Sequence, residues 1–288
     1  MNAKHICVST LALMVSIGWC AMASANPLLG TVGESFAVLG GAGVSSAGAT
    51  TIVGNVGASP TNAISGFNAG AITGGTATST GVAQQAQADA LVAYNLLSTQ
   101  VATHNLTGFD LGGMTLSPGV YNYVTSAQLT GDLTLDAGGL SDVAFIFKIG
   151  TTLTTATDAI VTLINAGSND GVFFQVGSSA TLGDSTQLVG NILASTSIVL
   201  DPFAQISCGR ALGGILVGSG IVSMANANHV SISDNNGCAN GLDGGIGADT
   251  IGGGGASVPE PSSVALLGFG ALGLGLLLRR RRTKTSAA

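Results

Sequence analysis

The stretch from Ala144 to Arg210 constrains the fold most, because one short phrase keeps returning in it. An apolar strand such as Phe145 to Ile149 runs into a small-residue turn and then into a Thr/Ser cluster that encloses an apolar residue. Ile149-Gly-Thr-Thr-Leu-Thr-Thr is answered by Val176-Gly-Ser-Ser-Ala-Thr-Leu and by Leu193-Ala-Ser-Thr-Ser-Ile-Val. Weaker copies stand at Val217-Gly-Ser-Gly-Ile-Val-Ser and Val124-Thr-Ser-Ala-Gln-Leu-Thr. Recurrence at steps of about 17 to 27 residues is the signature of a solenoid whose coils each carry one copy. Uneven steps predict coils of different size with loops between them. Short apolar runs broken by Gly-Ser-Ala-Thr turns extend the pattern to Leu28–Ser59 and Leu106–Leu140, so the expected class is an all-β solenoid.

One segment breaks the pattern. Gly81 to Gln100 lacks Pro and internal Gly, and Val82, Ala86, Ala90, Ala93 and Leu97 recur at helical spacing, with Leu91 and Tyr94 widening the stripe. Gln84, Gln85, Gln87 and Asp89 lie largely off it. The spacing predicts one amphipathic helix over about 82–99, packed on an apolar flank of the solenoid.

Charge is scarce and unevenly placed. Only 8% of residues are charged and 46% are hydrophobic, which excludes a disordered chain. Between Asn26 and Val258 the only Lys or Arg residues are Lys148 and Arg210. A body so poor in cations releases few counterions from a phosphate backbone, which argues against nucleic acid as a partner.

The two ends read as export signals. Lys4, the apolar run Val8 to Trp19 and Ala23-Ser-Ala25 give residues 1–25 the pattern of a signal peptide. Cleavage there leaves Cys208 and Cys238, which in an exported chain read as a candidate disulfide, the alternative being two separate buried thiols. Residues 26–236 then form the solenoid domain, and 237–257 a Gly-rich linker. Gly244 to Gly252 fits a single calcium-binding nonapeptide, but such repeats close their sites with neighbouring copies, so a linker is the better reading. Residues 258–288 hold Pro259-Glu260-Pro261, an apolar segment over 264–278 and a basic tail from Arg279 to Arg282. The apolar segment is short for a full span, yet the basic cluster after it suits transient membrane engagement. This tail resembles the PEP-CTERM sorting signal. The resemblance implies a diderm bacterium, processing by an exosortase and delivery to the cell surface or outside.

Catalytic constellations are nearly absent. Lys148, in an otherwise apolar strand, reads as a solvent-facing or rim residue. His104 and His229 have no Cys or carboxylate at metal-ligand spacing and read as surface residues. There is no phosphate-binding loop, dinucleotide fingerprint or nucleophile elbow. The expectation is a protein that is not an enzyme and uses no cofactor or metal. What remains are the Thr/Ser clusters. Alternate residues of a strand share a face, so with Leu153 inward, Thr152 and Thr154 point outward about 6.8 Å apart, and stacked coils repeat the pair at about 4.7 Å. Ser179 and Thr181 flank Ala180 in the same way, and Thr196 begins a third pair that Ile198 interrupts. A stiff face of methyls and hydroxyls, almost free of charge, suits ordered water, whereas exposed Thr is also ordinary strand decoration.

Several stretches resemble the microbial ice-binding family with the irregular, discontinuous β-solenoid fold. They are Leu29 to Leu39, Ile52 to Pro60, Gln87-Ala-Asp-Ala90, Leu116-Ser-Pro-Gly-Val-Tyr121, Phe145 to Thr155, Phe174 to Leu182 and Val189 to Ala194. The resemblance implies an irregular right-handed three-faced β-helix with a long α-helix alongside. It also implies that one flat face adsorbs to an ice crystal surface and inhibits growth or recrystallisation. The family carries no invariant motif for that face, so the candidates Thr152, Thr154, Ser179, Thr181 and Thr196 rest on alternation. A cell-surface or exopolysaccharide-matrix structural or adhesion protein without ice affinity is the other reading.

Overall fold

A computed structural model describes residues 28–79 and 81–233. The signal-peptide pattern, the Gly-rich linker, the Pro-Glu-Pro motif and the apolar segment 264–278 lie outside the described residues. Short strands of two to six residues wind into three parallel sheets of nine, seven and eight strands, here called sheets A, B and C. A complete coil contributes one strand to each sheet, as in Ala144–Ile149 (A), Leu153–Thr155 (B) and Ile160–Ile164 (C), whereas the end coils at Ala77–Thr78 and His104–Asn105 contribute fewer. The coils are of unequal length: the step from Thr154 to Thr181 in sheet B is long, that from Thr181 to Val199 short.

The stacking order does not follow the chain. The coil that begins with Phe36–Gly40 sits inside the stack. The chain winds from there to one end of the molecule, at Ala77–Thr78 in sheet A. It then crosses to the opposite end, at His104–Asn105, and winds back until Ala211–Leu212 pairs with Val38 and Leu39. The last coil therefore stacks on the first in all three sheets. The crossing is made by a helix, α2 (Gly81–Thr99), which follows a single N-terminal turn, α1 (Gly30–Gly33). Nineteen helical residues span about 28 Å. The eight gaps of a nine-stranded sheet span about 38 Å, and the residues flanking the helix cover the difference.

Two apolar layers result. Inside the coils lie Val38, Tyr121, Phe147, Phe174, Ile192, Leu133, Leu153, Leu182, Ile198 and Val222. Outside sheet A, Leu39, Ile146, Phe173, Leu193 and Leu212 pack against Ala83, Ala86, Ala90, Ala93, Tyr94 and Leu97 of α2. Strands of sheet A are apolar on both faces because both faces are covered. The stripe of alanines brings the helix axis close to the sheet. Val82 is exposed and Ala83 buried, a one-residue departure from the stripe expected from spacing. Asp89 of α2 reaches the turn of α1, accepting a hydrogen bond from the Gly33 N–H at 3.1 Å. The fit needs a bare backbone: Gly30 has φ +64°, and a Cβ on it would sit 2.9 Å from the Asp89 carboxyl. Among the described residues no helix is long and apolar enough to cross a membrane.

Candidate functional site

Sheet A is covered by α2, which leaves the outer faces of sheets B and C open. In sheet B the register aligns Gln128, Thr154, Thr181, Val199, Ser223, Ser45 and Ser65 in one outward row across seven strands. The inward neighbours Leu153, Ala180, Ile198, Val222 and Val44 are all buried, which fixes the direction of the row. No member of the row is charged. Adjacent members stand about 4.8 Å apart, on a backbone held by parallel ladders.

The expected site residues divide as follows. Thr154 and Thr181 are paired directly and lie in the row. Thr152 and Ser179 precede them by two residues and begin a flanking row that continues through Ser197 and Ile221. The hydroxyls of that row are partly engaged: Ser179 Oγ accepts the Ser197 N–H at 3.3 Å, and Ser197 Oγ accepts the Ile221 N–H at 3.2 Å. Thr196 belongs to neither row. It aligns with Ser178, whose carbonyl accepts its N–H at 2.9 Å, and the third pair is Ser197 and Val199. Ile198 does not interrupt the array; it points inward and is fully buried. The slip has a physical cause. Leu193 resembles Val176 in sequence, but Leu193 faces α2 while Ala194 takes the interior position beside Val176. The repeat therefore starts one residue later than hydrophobicity suggests, and Val199, Ser223, Ser45 and Ser65 escaped notice with it.

Sheet C is the competing face. Thr115, Thr134 and Thr162 stand in register on it. A neighbouring row, however, runs Asp132, Ile160, Gln187, Gln205, His229 and Thr51, and Asp136 lies on the far flank. Asp136 is exposed enough to ionise freely. The Asn165 side chain and the Gly138 N–H hold its carboxyl below the usual range. His229 is half-buried there, and burial pushes its imidazole pKa down. Carboxylates keep their own water, and stripping it costs several kcal/mol per ion. Long, mobile glutamines add side-chain entropy to any ordered contact. Sheet B carries neither burden from Thr154 to Ser65; both are confined to its end, where Gln128 is bridged in register to the exposed Asp110.

The remaining polar residues serve the fold. Lys148 donates from Nζ to the carbonyl of Gln100 at 2.7 Å, closing the C-terminal end of α2 rather than facing solvent. His104 stacks on Tyr121 at 5.0 Å, the first rung of a ring ladder that continues through Phe147 and Phe174. Arg210 is buried and donates to the Glu34 carbonyl and, at 2.9 Å, to Asn191 Oδ1. Cys208 is buried and disulfide-bonded; Cys238 lies outside the described residues. Among the described residues no cluster of His, Cys, Asp and Glu could hold a metal ion.

The family model for ice-binding-like proteins matches residues 38–228, and that for the PEP-CTERM protein-sorting motif matches 257–282. An ice-binding protein of Nostoc sp. (strain HG1) is 42% identical over 288 residues, 99% of this chain and 98% of that protein. A crystal structure of an ice-binding protein from the Antarctic ascomycete Antarctomyces psychrotrophicus superposes with a TM-score of 0.66 at 34% identity, covering 74% of this chain and 100% of that one. The structure of an ice-binding protein from an Antarctic biological consortium superposes with a TM-score of 0.64 at 32% identity, covering 79% and 96%.

Proposed function

We propose that this chain, which belongs to the ice-binding-like family, adsorbs to ice through the outer face of sheet B and so inhibits ice growth or recrystallisation. The observation that carries the assignment is the uncharged outward row from Gln128 to Ser65, set on a continuous seven-stranded ladder. Threonine methyls border ordered water and its hydroxyls bond into it. The ladder fixes their positions before contact, so little entropy is lost on adsorption. Ice that advances between adsorbed molecules must curve, and curvature opposes further growth.

The assignment is tested with the purified chain in a growing polycrystalline ice hemisphere. Thr154→Tyr and Thr181→Tyr each put a bulky ring on the face and are expected to abolish incorporation while the circular dichroism spectrum is retained. Thr162→Tyr, on sheet C, is expected to leave incorporation intact. The reverse pattern would move the site to sheet C. Exclusion of the unaltered chain from ice would leave a structural or adhesive role at the cell surface instead.

Delivery follows from the two ends of the chain. Residues 1–25 direct export, 237–257 link the solenoid to the tail, and an exosortase acts at Pro259-Glu260-Pro261 while 264–278 holds the chain transiently in the membrane. The match of the sorting-motif model to residues 257–282 supports this route. Cys238 serves as the partner of Cys208, the disulfide fastening the start of the linker to the body.

A further inference from the structure

The outward row of sheet B changes chemistry halfway along. On one side of Val199 lie Thr181 and Thr154; on the other lie Ser223, Ser45 and Ser65. The ladder beneath is unbroken, with Val199 paired to Ser223 and Ser223 to Ser45, so the backbone pairing continues across the change. The surface above it does not. A trough of about 240 Å³ opens at the C-terminal ends of these strands, lined by Ser45 to Ala47, Ser223 to Ala225 and Val199 with Leu200. Ser45 and Ser223, the positions that would carry β-branched side chains if the threonine pattern continued, form part of its lining, with Val199 beside them.

We propose, on the premise that sheet B is the ice-binding face, that the face is built over only half its length: the methyl-bearing residues Thr154, Thr181 and Val199 carry adsorption, and the serine half stands off the crystal. The change of residue along the register and the depression at the surface coincide at Ser45 and Ser223. The flanking row compensates only at one point: the Ser179 and Ser197 hydroxyls each accept a backbone N–H group, and the exposed Ile221 stands two residues before Ser223, outside the lining of the trough. Over the trough, liquid-like water fills the space between protein and crystal. Such water is an enthalpic substitute for direct contact but carries none of the apolar burial that a methyl supplies.

Small, shape-preserving substitutions separate the halves without propping the face away from ice. The readout is the concentration of the full chain that halves the rate of ice recrystallisation. Each methyl is worth roughly fourfold in affinity. Thr154→Ser with Thr181→Ser is expected to raise that concentration about tenfold, whereas Ser45→Ala with Ser223→Ala changes it by less than about twofold. Ser45→Thr with Ser223→Thr adds two methyls at the edge of the trough on a residue suited to strands and is expected to lower it about tenfold. Thermal unfolding of each variant confirms that the coils persist. An alanine pair as damaging as the serine pair, or a threonine pair without gain, overturns the proposal while leaving the face assignment standing. Full activity in folded Thr154→Tyr overturns the assignment itself.

Discussion

At the scale of single residues, the environment of a side chain rather than its type decides what it does here. Thr155 follows Thr154 directly, yet it is buried and its hydroxyl meets Thr186 Oγ1 at 2.6 Å, while Thr154 is exposed. His229 shows the same dependence. It stands between Gln205 and Thr51 on sheet C, half-buried, and desolvation disfavours its charged form. The unfolded chain, with an ordinary imidazole near 6.5, then binds the proton more readily than the folded one. Stability is thus fully present above that value and declines as pH falls through it. The unfolding temperature of the chain is expected to drop between about pH 7 and 5, and His229→Gln to flatten that slope. An unchanged slope in the variant would place the sensitive group elsewhere. Alternation made Thr152, Thr154, Ser179 and Thr181 legible in the sequence, because a period of two leaves one choice once the apolar partner is known. It misled at Thr196, because Leu193 is apolar for the sake of α2 and not of the core.

At the scale of elements, the helix was the most legible part of the chain and its anchorage the least. A run without Pro or internal Gly, with alanines recurring at helical spacing, leaves few alternatives to Gly81–Thr99. Nothing local announces that Lys148, distant in sequence, meets the end of that helix. A cation there satisfies a terminal carbonyl and opposes the negative end of the helix dipole. Because it lies on the outer face of sheet A, Lys148 also pins α2 to the coils. Lys148→Met keeps the stem and removes the donor, and is expected to cost about 1–2 kcal/mol in urea unfolding. Amide exchange should quicken in the last turn of α2 and not in its first. Ice incorporation should not change, since sheet B is untouched. Uniformly faster exchange along the helix would mean that packing of the alanine stripe, not the terminal bond, sets its stability.

At the scale of the whole molecule, the decisive feature is the seam where the last coil stacks on the first. A solenoid wound in chain order would need only local contacts, whereas this one must bring Ala211 and Leu212 back to Val38 and Leu39. No sequence signal marks that order, since parallel backbone pairing is open to any exposed strand edge. What distinguishes the seam is Arg210. It spends its donors on the Glu34 carbonyl ahead of the first coil and on Asn191 Oδ1, and Asn191 in turn donates to the Val172 carbonyl at 3.2 Å. One buried cation thus ties the strands on both sides of the join, and the serine half of the outward row of sheet B, with Ser223 and Ser45, is assembled by the same join. Arg210→Met is similar in length and apolar, but leaves those carbonyls without their donor. The expected cost is roughly 3 kcal/mol, or about 6–12 °C in unfolding temperature for a domain of this size. Hydrogen exchange gives the sharper test. If the seam is the weak point of the stack, the strands Phe36–Gly40 and Ala211–Leu212 lose protection together, ahead of Ala144–Ile149 and Gly171–Val176. Loss of protection spread evenly over all coils would show instead that the solenoid opens as one unit and that Arg210 merely adds to its total.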